Sequence, residues 1–221
     1  MTHTEKVHVL FGMLAAISGG LALWGVYRPA SLARLIWPVI AFLIGFFLFI
    51  PVEAQTRTYQ EVSWWTVLGS AIPQNPGTWI RDWFHYVGQW HVVQHKIGSF
   101  LMMVVGVVEF QRGRGRLAGQ GWGFVLPGLL LGIGVAFGLH GGTAVHLTHR
   151  TEVIHHQVFG VAFAIAAVSL ALVRTGRLRH PAWRGLWAAL ILAVGIDIGF
   201  FYRLTPEERV PAVHHHDAGG N

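Results

Sequence analysis

Six stretches of about twenty mostly apolar residues divide the chain, interrupted by glycine and a few polar positions. They run roughly over 7–27, 32–52, 91–110, 122–141, 155–174 and 183–202. Each residue advances a helix by about 1.5 Å, so a run of this length crosses the hydrocarbon layer of a bilayer. The pattern predicts an all-α, polytopic membrane helix bundle with six transmembrane helices. A single integral membrane domain over 1–221 accounts for the chain and leaves no room for a separate soluble one. The first run has full helix length and no small-residue cleavage site behind it. It therefore reads as a membrane helix and not as a cleaved leader.

Two segments depart from this pattern. Residues 53–90 are too many for a bare loop in a compact domain. Trp79, Trp83 and Trp90, with Tyr86, recur there at about helical spacing. This predicts a Trp-rich amphipathic segment lying in the headgroup layer, able to act as a lid over the face it borders. Residues 203–221 form a second polar segment, a tail carrying His214, His215 and His216.

Charge orients the bundle. Arg28 and Arg34 join runs one and two. Arg112, Arg114 and Arg116 join three and four, and Arg174, Arg177, Arg179 and Arg184 join five and six. These three short connections fall on one side, which the positive-inside rule makes cytoplasmic. Both termini and 53–90 then face the periplasm of a bacterial inner (cytoplasmic) membrane. Arg57, Arg81, Arg150, Arg203 and Arg209 lie on that side too, but spread over much longer segments. The net charge of +6 is thus a topology signal, and no nucleic-acid partner is implied. Only 12% of residues are charged, about half of what a soluble domain carries. The chain has no cysteine, which excludes thiolate metal sites, disulfides and cysteine nucleophiles.

Histidine follows the opposite side. Of the 14 histidines all but His180 fall outside or in the outer third of a run. Five of them crowd into 140–156, HGGTAVHLTHRTEVIHH. The runs also share a weak repeat. His8-x-x-Phe11-Gly12 opens run one and His156-x-x-Phe159-Gly160 opens run five. Run three opens with His95, one residue closer to its glycine, Gly98. Three helix hairpins, each entering from outside with a histidine, account for this. Run four carries Gly128, Gly132, Gly134 and Gly138, which thin two faces for a neighbouring helix or a flat ligand.

His91 and His95 share a helix face one turn apart and can bind one metal ion. His155 and His156 sit at similar height but point about 100° apart, so one can face the bundle and the other the loop. His140 ends run four, and His146 and His149 lie in the following loop with Glu152. Asp197 lies about a turn and a half inside run six, at the depth of His95. A carboxylate there is costly unless paired, which makes a histidine–carboxylate site feasible. Hydrogen bonding that fixes helix packing is the structural alternative. Glu109 is expected to pair with the arginine-rich loop, and Glu53 to join the site or mark the interface. The candidate metal set is His91, His95, His140, His146, His149, His155, His156 and Asp197.

Imidazole and carboxylate suit copper(II), zinc and iron, and methionine suits copper(I). Met102 and Met103 below His95, and Met13 below His8, would make a copper path. His214–His216 could collect metal at the surface. Copper is therefore the first expectation. A b-type haem is the alternative, with His95 and either His155 or His156 as axial ligands and Gly98 and Gly160 beside the porphyrin. No second histidine pair exists at the inner side, so a two-haem wire across the membrane is excluded. Membrane di-iron chemistry fits poorly: HVVQH matches one histidine box, but HLTHRTEVIHH breaks the other.

Through His91, His95, His140, His155 and His156, runs three to six resemble the copper-resistance D family. In outline the chain is also similar to six-helix b-type cytochromes. The first resemblance implies copper binding or movement at the inner membrane. The second implies electron transfer between quinol and a periplasmic partner. The expected partners are the lipid bilayer and a periplasmic metal or electron carrier. A third expectation is a structural subunit of a larger membrane complex.

Overall fold

A computed structural model describes residues 3–50, 65, 77, 80–81, 90–143, 150–203 and 205. Every regular element among them is helical: α1 (His3–Tyr27), α2 (Ala33–Phe49), α3 (Trp90–Gly113), α4 (Gln120–Gly123), α5 (Val125–Thr143), α6 (Arg150–Arg174) and α7 (Trp183–Ile196). A π-helical turn, Asp197–Phe201, prolongs α7. The six long helices coincide with the six apolar runs, and α4 is a single turn before α5. Apart from Trp65, Gly77, Ile80, Arg81 and Trp90 in the Trp-rich segment and Arg203 and Thr205 in the tail, these two segments lie outside the described residues.

The long helices form a closed ring. Each packs against the next in sequence, and α1 closes on α7. Three of the six contacts are built on glycine. A side chain at Gly12 would strike the backbone of Gly199, and one at Gly195 that of Ala16, which seats α1 on α7. A Cβ on Gly106 would lie 2.6 Å from the Pro38 carbonyl oxygen, which seats α3 on α2. One on Gly134 would lie 2.9 Å from the Gly160 carbonyl oxygen, which seats α5 on α6. Small residues let helix backbones approach where lipid gives no hydrophobic drive to associate. Gly160 therefore serves helix contact. The glycine seams α2–α3, α5–α6 and α7–α1 join successive hairpins, and the looser contacts lie within them.

The ends of α3 and α6 are closed alike. Gly115 (φ +76°) and Gly176 (φ +74°) adopt the left-handed conformation that a residue with a Cβ resists. Arg116 N–H then bonds Gln111 C=O at 3.0 Å, and Arg177 N–H bonds Leu172 C=O at 3.0 Å. These are paired Schellman closures, each with an arginine in the last turn against the helix dipole. Both lie at the end of the ring where the arginine-rich connections gather.

The bundle is apolar on the outside as well as within. Trp24, Val161, Phe200 and Phe201 each expose at least 60% of their surface. Among the described residues four segments are long and apolar enough to cross a membrane: Glu5–Tyr27, Gln120–Leu139, Val153–Arg174 and Trp183–Phe201. Ala33–Phe49 is a shorter apolar helix. α3 has a more polar start, with His95, Lys96 and Ser99. This is a helical membrane protein.

Candidate metal and cofactor site

The ring encloses a cavity of about 270 Å³, lined from all six long helices. Its walls are apolar, with Ile44, Leu130, Ile133, Phe159, Phe163 and Val194 among them. Among the described residues three imidazoles line it: His8 of α1, His95 of α3 and His156 of α6. These helices are the first, third and fifth of the ring, the openers of the three hairpins. The repeat thus has a structural meaning. Its histidines and Phe11 and Phe159 line the cavity, while Gly12 and Gly160 seat the neighbouring helix.

His156 is central. It is 3% exposed, its ring centre lies 6.3 Å from that of His8 and 6.4 Å from that of His95, and Phe137 packs 5.4 Å away. Tyr202, fully buried, stacks on His8 with ring centres 4.0 Å apart and planes at 11°. The π-helical turn puts it there, since Tyr202 N–H bonds the Asp197 carbonyl five residues back at 3.1 Å. One extra residue in that turn rotates the residues beyond it to a new face.

His155 takes a different partner. Its Nδ1 lies 2.6 Å from Oδ2 of Asp197, across the α6–α7 contact and half out of the bundle. The second histidine thus faces a neighbouring helix, not the loop. Asp197 pairs with it, so this carboxylate is engaged away from the cavity histidines. Tyr202 stands edge-on to His155 at 5.4 Å and so separates the pair from His8.

Two buried charges mark the same end. Glu5 is fully buried and Lys96 is 5% exposed. Lys96 Nζ donates to the Leu48 carbonyl at 3.1 Å, satisfying a group at the C-terminus of α2 that has no partner within its helix. Ser99 Oγ donates to the His95 carbonyl at 2.6 Å, anchoring that turn of α3.

The other expected groups divide clearly. His91 and His140 lie on the end turns of α3 and α5, but their side chains, like His146 and His149 altogether, lie outside the described residues. Glu53 and His214–His216 also lie outside. Met102 lines the cavity below His95, whereas Met13 is 46% exposed on the outer surface of the ring and is not on that path. Gly98 lines the cavity with no atom within 4 Å of where a Cβ would stand. Glu109 pairs with Arg112 at 2.6 Å, as the arginine-rich loop predicts.

His8 and Tyr202 were not among the candidate ligands. The repeat was the available signal for His8, because it put His8 in frame with His156. Nothing in the sequence marks the π-helical turn that brings Tyr202 in. Among the described residues no three histidine, aspartate or glutamate side chains stand close enough together to chelate an ion. The spacing instead suits pairs: two imidazoles on opposite sides of one metal ion, with bonds near ~2.0 Å, have ring centres about 6 Å apart. No protein-family model, curated protein or solved structure matches the chain.

Proposed function

We propose that the protein is a six-span inner-membrane protein that binds copper through a pair of the histidines of its central cavity, His156 with His8 or His95. One observation carries the reading: three imidazoles from three separate helices converge in an otherwise apolar bore. The ring-centre spacing and the soft donor Met102 below His95 fit copper. A bound copper ion supplies either a cargo for transfer or a one-electron couple. The protein's own residues orient the imidazoles, through the Tyr202 stack on His8 and the Phe137 contact on His156, and exclude water with apolar walls. The arginine end faces the cytoplasm in this reading. The histidine end and both termini face the periplasm, where a metal carrier would meet the site, with His91, His140, His146 and His149 as outer donors.

A b-type haem is the second reading, favoured by the open wall at Gly98. His95 and His156 would be its axial pair. The separating experiment is an absorption spectrum of the purified protein, oxidised and dithionite-reduced, with elemental analysis of the same sample. Copper in proportion to the chain and no Soret band is the expected result. A Soret band with a sharp reduced α-band makes the protein a cytochrome. Neither metal nor haem overturns both.

A further inference from the structure

At the arginine end, Arg174 reaches from the last turn of α6 over Gly123 of α4 towards the last turn of α3. Glu109 is the acceptor there, and it is already engaged: Arg112 Nη1 holds its Oε1 at 2.6 Å. Arg174, at the end of α6, lies within electrostatic reach of both Arg112 and Glu109. Its Nη1 is buried and has no hydrogen-bond partner among the described residues. The guanidinium lies over Gly123, where a Cβ would stand 3.3 Å from Nη1. Glu109 is thus taken by Arg112, and a buried donor of Arg174 is left without an acceptor among the described residues. Leaving such a donor unmet is expensive, more so when it is charged.

The surroundings define what could fill the place. Arg114, Arg116, Arg177 and Arg179 are exposed around it, so the local charge is strongly positive. Trp122 and Phe124, each 45% exposed, flank Gly123 on the outer surface of the ring. Tryptophan at the end of an apolar helix sits at headgroup depth. The missing partner is therefore an anion with several acceptor oxygens, delivered at the level of the lipid headgroups.

We infer that Arg174, with Arg112 beside it, forms a binding site for the phosphate of an anionic phospholipid headgroup at the arginine end of the bundle. The partly exposed Arg174 side chain turns off Gly123 to give its guanidinium to the lipid phosphate, which offsets the positive charge that Glu109 leaves uncompensated. The acyl chains lie along the exposed apolar flank beside Trp122 and Phe124. The site is independent of the histidine cavity at the opposite end, so it stands or falls apart from the copper reading.

Native mass spectrometry of the full-length protein in detergent tests this, with phosphatidylglycerol, phosphatidylcholine and inorganic phosphate titrated separately. The wild type is expected to retain one phosphatidylglycerol with at least tenfold preference over phosphatidylcholine. Arg174→Ala should abolish that preference, and Arg174→Lys, which keeps the charge but loses the forked donor, should weaken it. Glu109→Gln removes the competing carboxylate and should tighten retention. It also serves if Arg174→Ala does not fold. Arg184→Ala, an exposed arginine at the same end, should change nothing. Equal retention by wild type and the Arg174 variants overturns the site. Retention of inorganic phosphate with no preference between the lipids overturns the lipid assignment.

Discussion

The two ends of the ring handle polar residues in opposite ways. At the histidine end they turn inward: Glu5, Lys96, His156 and Tyr202 are all buried. At the arginine end they turn outward: Arg114, Arg116, Arg177, Arg179 and Arg184 are exposed. The arginine end resolves its helix termini with backbone closures and leaves its charges to water and headgroups, which costs little. The histidine end commits ionisable groups to the interior, where each must be paired or hold a ligand. Function is expected at the end that bears the cost. At the arginine end Arg174, with its buried Nη1, is the exception.

The sharpest way to break this comparison is through the glycine seams. Gly12→Leu drives a side chain into the backbone of α7 and should cost about 3 kcal/mol or more. Loss of a monodisperse peak in detergent size-exclusion chromatography is the expected readout. Gly121→Leu, which meets open space at the arginine end, should leave that peak intact.

Next in size is His156→Ala. Removing the central imidazole should reduce bound metal or haem at least tenfold, about 1.4 kcal/mol, measured as metal per chain or Soret absorbance. His95→Ala with His156→Ala should abolish tight binding altogether. Unchanged stoichiometry in that double variant would mean that the cavity is not the site. Gly98→Leu sharpens the choice of cofactor: it fills the open wall, so it should exclude haem while sparing copper.

Asp197→Asn should act more gently. The carboxylate is 35% exposed and bound to His155, so its loss should cost no more than about 1 kcal/mol. Cofactor content should stay unchanged, because the pair lies outside the cavity. A fall in bound metal would show that the pair and the cavity are one site. The smallest effect belongs to the arginine end. Arg112→Ala breaks an i,i+3 pair with Glu109 and should shift stability by roughly 0.2–0.5 kcal/mol, read as a small change in Tm.

Much of the fold was legible because a bilayer imposes a simple rule on sequence. Six apolar runs became six long helices, with boundaries within a few residues. The termination of α3 and α6 could be read in principle from Gly115 and Gly176, each flanked by arginines. The site was legible only by halves. Adjacent residues on a helix diverge by about 100°, so His155 and His156 had to face different ways. The absolute rotation of α6 depends on its neighbours and is not written in its own residues. The burial of His156, and the pairing of His155 with Asp197, therefore had to come from the structure. Tyr202 was hidden for a related reason. A π-helical turn shifts the register of everything after it, and the periodicity of an ordinary helix projects Tyr202 to the wrong face.

The ring closes between α1 and α7. Until α7 docks on α1, the cavity has an open side, and His8 faces a gap where Ile191, Val194 and Ile198 will later form the wall. Without that seam the bore is a groove. A guest too broad for the finished mouth can be loaded sideways at that stage and then be locked in by the final seam. Such a guest leaves only when the seam parts, so its escape rate is set by helix separation and not by its own affinity. A small ion faces no such barrier. On the copper and haem readings, exchange in a purified sample is expected of a small ion, and retention until the bundle is taken apart of a haem.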